Sequence, residues 1–423
     1  MTNRVFSRAD ILLPDGGLEK WSVIACDQHT SEPEYWQRVR GIVGDAPSTL
    51  NMMLPEHMYK NAELPTLVEK VRGTIKEYSE SGIFNTIENS YVYVERTLKN
   101  GRIRRGLVGK LDLEAYSGEP TSTAMVRATE GRVNEKMPVR ISMRRGSPIE
   151  CPHVMLLVDD PSRIVIEPLA GKKNSMDKLY DFELLEDGGH IAGWRVTGEA
   201  ADKVDRAIDA LADPCSFAAR YGVSEDCPVM LFAAGDGNHS LATAKFCWDE
   251  MKNELSEEER ENHPARYALV ELVNIMDAAL DFFPIHRVIT GVEPQRVIDA
   301  LLAYFPGAHR GFGEGHTIYC AVGGKAEPIT LPASASTLAI GAFSAFMDAE
   351  FDSLGGEVDF VHGDDVALKL SENPLTTAFL FGAVDKSSFF KSIVLEGVLP
   401  KKTFSMGEAR DKRYYLECRA IEK

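Results

Sequence analysis

Short apolar runs alternate along this chain with longer segments in which apolar residues recur every three or four positions. The recurring pattern gives an α-helix one apolar face, whereas an isolated apolar run is typical of a buried strand. Helices are predicted at residues 64–79, 201–211, 241–255, 297–304 and 338–351. Strands are predicted at residues 23–27, 91–94, 103–113, 137–144, 153–158, 164–166, 228–234, 267–275, 317–322, 358–361 and 378–384. This mixture predicts an α/β to α+β fold with mixed sheets.

Residues 137–144 alternate between apolar and polar side chains, which predicts a strand. Because successive side chains of a strand point to opposite faces, Arg140 and Arg144 would lie on the same face. A strand here would therefore present two guanidinium groups together.

The pattern of elements changes after residue 291. A chain of 423 residues is long for a single core, so more than one domain is expected. We predict a main α/β body at residues 1–291, which carries the site described below. Residues 292–423 are predicted to form a smaller α+β C-terminal portion, whose last strand could rejoin the body.

Composition and segment lengths indicate a folded protein of the cytoplasm. The hydrophobic fraction is 44% and the charged fraction 26%, as in globular proteins. No run of about eighteen apolar residues occurs, and the first ten residues lack the apolar core of a secretory signal. The seven cysteines are widely spaced with no Cys-x-x-Cys pair, which favours reduced, structural thiols over a zinc or iron–sulfur site.

The net charge of −17 disfavours binding to duplex nucleic acid or an anionic membrane. Basic residues nevertheless gather in three segments, at residues 102–110, 127–145 and 401–413. Basic segments in an acidic chain indicate a small anionic ligand. The alternative is that each is a solvated surface.

Residues 231–245 contain the sharpest functional signal, an apolar strand, a loop with two glycines and an amphipathic helix in that order. The loop reads Gly235-Asp236-Gly237-Asn238-His239-Ser240. Glycines let backbone N–H groups face outward at a helix N-terminus, which suits an anion. The sequence is neither a Gly-x-x-x-x-Gly-Lys nor a Gly-x-Gly-x-x-Gly loop. The alternative is a tight turn in which Asp236 or Asn238 caps the helix.

Four segments resemble, in the same order, motifs of the bacterial and archaeal family called domain of unknown function 1015. The family's Asp-Gly-His-His-Arg loop is matched by residues 236–240, with Asn238 and Ser240 in place of a histidine and the arginine. The other similar segments are Arg127 to Gly131, Pro284 to Arg287 and Pro400 to Phe404. The loss of the arginine removes a bidentate phosphate ligand.

The same loop has a more distant similarity to the ParB/sulfiredoxin superfamily, which includes nucleotide-binding phosphotransferases and a free-serine kinase with an Asp-Gly-His-His-Arg loop. This resemblance implies that a nucleotide phosphate could rest on residues 235–240. It is a likeness of fold and of one short motif.

These observations lead to two hypotheses. The first is a small-molecule enzyme, a nucleotide-dependent phosphotransferase with phosphate-binding residues Gly235, Gly237, Asn238, Ser240, Arg140, Arg144, Arg287 and Lys402. Asp236 or His239 would be the base or contact a Mg²⁺ carried by the nucleotide, and His286 is a further catalytic candidate or a core histidine. No ligand spacing predicts a metal held by the protein alone. The second hypothesis is a non-catalytic regulatory or nucleic-acid-linked protein of the same fold, which the serine at position 240 favours.

Overall fold

The computed structural model describes residues 4–130 and 136–422. The chain forms two compact units. The first comprises Met1–Ala128, Arg132–Leu280 and Glu408–Lys423, and the second comprises Thr129–Gly131 and Asp281–Gly407. Mixed helix and strand content confirms the predicted fold class. In the described part of the chain, no helix is long and apolar enough to cross a membrane.

The first unit is built on a mixed sheet with helices packed against it. Its strands before residue 281 are β1 Phe6–Ser7, β2 Ala9–Pro14, β3 Phe84–Thr97, β4 Ile103–Asp112, β5 Tyr116–Ser117, β6 Val126–Ala128, β7 Ile149–Glu150, β8 Met155–Val158, β9 Lys178–Glu183, β10 His190–Val196, β11 Phe232–Asp236 and β12 Tyr267–Asn274. The strand order is β5-β6-β11-β8-β12-β4-β3-β10-β9, with β1 on β4 and β2 on β3. This order places β11 between β6 and β8.

The helices of the first unit lie between its strands in the sequence. They are α1 Leu18–Trp21, α2 Pro33–Val43, α3 Leu64–Glu80, α4 Met137–Arg144, α5 Glu167–Ala170, α6 Gly198–Leu211, α7 Pro214–Tyr221, α8 Asn238–Met251 and α9 Glu257–Asn262. Helix α4 packs against α3 and α8. The predicted helices at 64–79, 201–211 and 241–255 are confirmed as α3, α6 and α8.

The second unit has its own antiparallel sheet. Its elements are β13 Phe282–Thr290, α10 Pro294–Tyr304, β14 His309–Arg310, β15 His316–Val322, β16 Lys325–Leu331, α11 Ala339–Leu354, β17 Glu357–His362, α12 Asp364–Leu370, β18 Thr376–Leu380, α13 Lys386–Glu396 and β19 Phe404–Met406. The strand order is β14-β16-β15-β18-β13-β17, with β19 on β13. The boundary between the two units lies before β13, because β13 pairs with β17, β18 and β19 of the second unit. The sequence analysis placed this boundary after residue 291.

The C-terminal residues return to the first unit. Strand β20, Arg419–Ala420, pairs antiparallel with β7, and Arg419 is opposite Glu150. This register brings Cys151 beside Cys418, and the two form a disulfide. The prediction of reduced thiols is therefore wrong for this pair, because its partners are 267 residues apart in sequence and no local spacing reveals them.

The strand predicted at residues 137–144 is wrong. This segment is helix α4, with Pro138 in its first turn and Met137 and Arg140 buried. An alternation over so short a segment does not exclude a helix, and packing against α3 and α8 decides the conformation. Arg140 and Arg144 still share a face, because they lie four residues apart on a helix.

Two further predicted strands are absent from the described structure. Residues 23–26 are buried, but only Ile24 forms a bridge, with Arg413. Residues 164–166 lead into α5 instead of pairing. The side chain of Asp160 accepts hydrogen bonds from the backbone N–H groups of Ile164 and Val165, at 2.7 and 2.9 Å, so these groups are not used by a sheet.

Candidate functional site

The strand, loop and helix occur in the predicted order, but the strand begins four residues later than predicted and includes Gly235 and Asp236, so Gly237 alone separates it from α8. Strand β11 pairs in parallel with β6 and antiparallel with β8, and it begins at Phe232 and extends through Gly235 to Asp236. Helix α8 begins at Asn238, three residues before the predicted helix at 241–255. The Asp236 side chain accepts a hydrogen bond from the N–H of Gly237 at 2.9 Å, which fixes the turn between strand and helix.

Gly237 meets two requirements that only glycine satisfies. Its φ of 73° lies in the left-handed region, which other residues enter at a cost. A Cβ atom at this position would lie 2.9 Å from both the carbonyl oxygen of His153 and the Cα of Val154. The loop therefore packs directly on the backbone that leads into β8.

Arg140 of α4 brings a positive charge to the start of α8. Its Nη1 donates to the hydroxyl oxygen of Ser240 at 3.1 Å, and its Nη2 donates to Glu56 at 2.9 Å and contacts the sulfur of Cys26 at 3.4 Å. Arg140 is only 7% exposed. Its Nε is buried and has no hydrogen-bond partner among the described residues.

Glu56 holds two cations beside the loop. One carboxylate oxygen accepts from Arg140 at 2.9 Å, and the other pairs with the ammonium group of Lys136 at 2.5 Å. The Glu56 side chain is 6% exposed, so water screens these pairs poorly. Glu56 therefore holds two cations next to the first turn of α8, where Asp27 also acts electrostatically on Arg140 and His239.

Asp27 and His153 form a second polar group in the same unit. Burial alone would raise the pKa of Asp27, but His153, the hydrogen bond from Gln28 and the charge of Arg140 lower it to about 2. Burial lowers the pKa of His153 more than Asp27 raises it, so His153 is neutral at neutral pH. Within the part of the chain that the structure describes, neither ring nitrogen of this buried histidine has a hydrogen-bond partner. Asp27 thus lies within electrostatic reach of Arg140.

His239 lies in the first turn of α8, and its pKa is also lowered. The cause is burial first, followed by the positive charges of Arg140 and Lys136. A neutral imidazole can accept a proton, so His239 has the protonation state of a general base at neutral pH.

Arg144 does not join this group of charges. Its Nη2 pairs with Glu150 at 2.7 Å, and Arg419 pairs with the same carboxyl group at 2.9 Å. Because Glu150 is held by two arginines inside the first unit, Arg144 has the contacts of a structural residue. The predicted phosphate-binding role of Arg144 finds no support in these contacts.

The other predicted basic residues belong to the second unit, where protein groups occupy them. The Nδ1 of His286 accepts from the N–H of Phe381 at 3.3 Å, and its Nε2 lies 2.8 Å from a carboxylate oxygen of Asp364. The backbone donor fixes the tautomer, so Nε2 carries the proton and donates to Asp364. Both nitrogens are engaged, which is the state of a core histidine.

Arg287 and Lys402 both stack on Phe360, with the guanidinium carbon and the ammonium nitrogen 4.5 and 4.6 Å from the ring centroid. Arg287 also donates to the carbonyl oxygens of Ile285 and Lys401. Burial lowers the pKa of Arg287 to about 10, against the attraction of Glu130. These contacts hold the second unit together.

A cavity of about 130 Å³ opens beside Arg140, Ser240 and His153 in the first unit. Methionine and branched side chains form much of its wall, among them Met52, Met53, Ile75, Met143 and Leu241. The sequence analysis missed His153, which lines the cavity, and Glu56, which pairs with Arg140. Neither lies near the glycine loop in sequence, and the strand predicted at 153–158 was the sole local signal for His153.

The sequence matches the family model described as "Protein of unknown function (DUF1015)" over residues 9–417. The chain belongs to this family. Three of the DUF1015 motifs have residues inside the second unit, whereas Arg127 and Ala128 of the first of them lie in β6 of the first unit and Gly131 lies outside the described residues. Arg287 donates to the carbonyl of Lys401, and the carbonyl of Thr129 accepts from the N–H of Leu399. These motif residues therefore have a structural part in the fold.

No curated protein matches the chain. Solved structures similar to it include a free serine kinase variant in complex with ADP, at 10% identity and a TM-score of 0.38, covering 77% of this chain and 95% of that one. SbnI with a C-terminal truncation from Staphylococcus aureus has 5% identity and a TM-score of 0.37, covering 71% and 82%. A conserved hypothetical protein from Pyrococcus furiosus has 11% identity and a TM-score of 0.32, covering 71% and 90%.

Proposed function

We propose that this protein is a small-molecule enzyme, a nucleotide-dependent phosphotransferase that binds phosphate at the Gly235–Ser240 loop. The observation that carries the proposal is the hydrogen bond between the buried guanidinium group of Arg140 and Ser240 in the first turn of α8. It combines a fixed positive charge with the N-terminal end of a fourteen-residue helix. Both features favour an anion at the same point.

The start of α8 and the guanidinium group beside it support a phosphate ligand. The start of a helix carries about half a positive charge, and Arg140 and Lys136 add two cations, which Glu56 and the ionised Asp27 offset. In a chain of net charge −17, contacts to Glu56 hold these two cations beside the loop.

The loop lacks the arginine that the family motif has at position 240, and Arg140 supplies a guanidinium group instead. Ser240 accepts a hydrogen bond from it, so the serine positions the arginine of another helix. A guanidinium group from α4 would serve phosphate as well as one from the loop, because its planar donors match phosphate oxygens. The similarity of the loop to ParB/sulfiredoxin-type phosphotransferases is part of this proposal.

In the proposed reaction, an acceptor oxygen attacks the γ-phosphorus of a nucleoside triphosphate, and the bond from that phosphorus to the β,γ-bridging oxygen breaks. The nucleoside diphosphate leaves, and the acceptor's proton passes to Asp236 or His239. A Mg²⁺ ion carried in with the nucleotide needs only one or two protein carboxylates, and Asp236 is suitably placed. Among residues 4–130 and 136–422, no three His, Cys, Asp or Glu side chains are grouped to hold a metal by themselves.

Calorimetric titration of the full chain with ATP, ADP and AMP, each with and without Mg²⁺, tests the proposal. We expect binding that Arg140→Lys weakens at least tenfold, because an ammonium group cannot contact Ser240, Glu56 and phosphate together. Arg145→Lys is the matched control, since Arg145 follows α4 and pairs with Glu250 at the surface. The absence of nucleotide binding at about millimolar concentration, well above typical KM values, would overturn the proposal.

The second candidate is a non-catalytic protein that keeps the fold. The contacts of Glu56 favour it, because this carboxylate already occupies Arg140 and Lys136. Binding of nucleotide without turnover of any acceptor, together with full retention of affinity in Asp236→Asn, would support this reading.

A further inference from the structure

A disulfide fastens the last part of the chain beside the candidate site. Cys151 follows β7, Cys418 precedes β20, and their sulfur atoms are bonded to each other. Residues 412–421, called the C-terminal strap below, belong to the first unit. The strap is therefore tied covalently to the segment that leads through His153 into β8.

The C-terminal strap packs on the backbone that supports the glycine loop. The ring centroids of Tyr414 and His153 lie 4.9 Å apart, edge to face. The hydroxyl group of Tyr415 donates to the carbonyl oxygen of Val154 at 2.6 Å. Gly237 packs on the same two residues, His153 and Val154. A displacement of the strap would therefore disturb the position of the loop.

The two sulfur-bearing residues differ in access. Cys418 is 0% exposed, whereas Cys151 is partly exposed and lines the cavity of about 130 Å³. Thiol–disulfide exchange requires the attacking thiolate to reach one sulfur of the bond. The cavity is thus the side from which a small thiol would reach the disulfide.

Noncovalent contacts hold the end of the C-terminal strap independently of the sulfur atoms. Arg419 pairs with Glu150 at 2.9 Å, and Leu12 and Cys418 exchange two backbone hydrogen bonds of 2.8 Å. These contacts would keep the two cysteines close together after reduction. The bond could then form again on oxidation, which a reversible switch requires.

We infer that the disulfide between Cys151 and Cys418 is a redox switch for the C-terminal strap, and that small thiols reduce it from the cavity. A thiolate attacks the sulfur of Cys151, forms a mixed disulfide with it and releases Cys418 as a thiolate, which takes up a proton. A second small thiolate attacks its counterpart in the mixed disulfide and releases Cys151, which is protonated in turn. Two small thiols are thereby oxidised to their disulfide, and the protein disulfide gains two electrons.

Reduction should loosen the C-terminal strap in the folded protein. A crosslink restricts the opened conformations of a segment, so local opening becomes easier once the bond is broken. We expect hydrogen exchange at residues 412–421 to become at least about tenfold faster, with an unchanged circular dichroism spectrum. Nucleotide affinity should fall as well. This last effect alone rests on the proposed function, so a protein that binds no nucleotide would still show the change in hydrogen exchange.

The rate of reduction by two thiols of different size tests the route. The folded full chain is treated with 2-mercaptoethanol or glutathione, and free thiols are alkylated and located by mass spectrometry. Each rate is divided by the rate for the same thiol acting on the urea-denatured protein, which removes differences in thiol reactivity. A 150 Å³ cavity holds benzene, so 130 Å³ admits the roughly four heavy atoms of 2-mercaptoethanol but not the roughly twenty of glutathione. We expect the ratio to be at least about tenfold higher for 2-mercaptoethanol. Equal ratios, or reduction only when the protein unfolds, would overturn the inference.

Substitutions test the cavity as the route. Ala244 lines the cavity and is buried on α8, so Ala244→Leu should slow reduction by 2-mercaptoethanol. Ala242→Leu is the matched control, because Ala242 is equally buried on the same helix and does not line the cavity. An unchanged rate in a folded Ala244→Leu variant would exclude this route.

Substitutions of the cysteines test the switch. The double variant Cys151→Ser/Cys418→Ser should show fast exchange at residues 412–421 with and without thiol. Cys215→Ser is the control, because Cys215 is a free, exposed cysteine, and it should respond to thiol as the wild type does. Should the double variant fail to fold, chemical reduction of the wild type decides alone. Slow exchange of the strap in a reduced, folded wild type would overturn the inference.

Discussion

The Cα of Gly237 lies so close to the carbonyl of His153 that a Cβ on the glycine would come within 2.9 Å of that oxygen. The loop that begins α8 and the backbone before β8 are therefore in direct contact. This contact fixes the position of the predicted phosphate loop relative to His153, and it links the stability of the loop to the residue that borders the cavity.

Gly237→Ala should lower the free energy of unfolding by about 2–4 kcal/mol. The positive φ contributes about 1 kcal/mol, and the clash with the backbone of His153 and Val154 contributes the rest. Gly222→Ala is the matched control, because Gly222 has a φ of 69° but open space around it. Urea denaturation of both variants measures the difference. Equal losses in the two would show that the close contact does not contribute.

Glu56→Gln should strengthen phosphate and nucleotide binding several-fold while lowering the melting temperature. The amide no longer offsets the charges of Arg140 and Lys136, which raises the positive charge at the loop. The same change leaves two cations less well paired, which destabilises the fold. Calorimetry and thermal melting report the two effects separately. Glu69→Gln is the control, because Glu69 is exposed and pairs with Arg72. It should change neither the nucleotide affinity nor the melting temperature. Weaker nucleotide binding in folded Glu56→Gln would contradict this account.

The stability of the protein should depend on Asp27 at acidic pH. The folded pKa of Asp27 is about 2, below the ordinary value of 3.8. A lowered folded pKa stabilises the protein above the unfolded value, and this contribution is lost as the pH falls from about 4 towards 2. It amounts to at most about 2.5 kcal/mol, since one pKa unit corresponds to about 1.4 kcal/mol.

Chemical denaturation of the wild type and of Asp27→Asn between about pH 5 and pH 2.5 tests this dependence. The stability advantage of the wild type should narrow as the pH decreases. An advantage that stays constant over this interval would show that Asp27 is not paired in the folded protein.

The disulfide between Cys151 and Cys418 should resist alkylation until the protein is reduced. Five cysteines are free, so iodoacetamide should label five sites in the denatured, unreduced protein and seven after reduction. Because the bond closes a long loop, Cys418→Ser should cost several kcal/mol of stability, up to about 5 kcal/mol by chain entropy. Seven labelled sites without reduction would contradict the pairing.

Local patterns predicted the elements that depend on local interactions. The strand–loop–helix unit at 232–251 could be predicted because its glycines, its apolar run and its helical periodicity lie within about twenty residues of sequence. Its phosphate-binding role remains a prediction. The helix at Met137–Arg144 was missed because an alternating segment of eight residues fits both a strand and a helix, and α3 and α8 decide between them.

Contacts between distant segments could not be predicted from the sequence. Glu56 lies more than eighty residues before Arg140, and His153 lies a similar distance before Gly237. Each is placed beside the loop by the sheet order and the packing of α4, which no local motif encodes. The contacts of Arg144 could not be predicted either. Arg144 pairs with Glu150, which also pairs with Arg419 of the C-terminal strand.

Asp236→Asn distinguishes the catalytic and structural readings of the loop. The carboxylate of Asp236 accepts from the N–H of Gly237, and an amide oxygen can accept the same bond. Melting temperature should therefore change little, since Asn serves a turn as well as Asp. The amide can neither accept the substrate's proton nor bind Mg²⁺ as a carboxylate does. If Asp236 has either role, the rate of phosphoryl transfer should fall at least a hundredfold.

The measurements are turnover with nucleoside triphosphate, Mg²⁺ and small-molecule acceptors that carry a hydroxyl or carboxyl group, nucleotide affinity by calorimetry, and thermal melting. The variant His239→Gln, made in parallel, distinguishes the two candidate bases. The variant that lacks the true base should lose the acidic limb of the pH–rate profile. If Asp236→Asn turns over as fast as the wild type, Asp236 only shapes the turn. A wild type that binds nucleotide but transfers phosphate to none of these acceptors would favour the non-catalytic alternative, since the loop would then hold phosphate without a reacting partner.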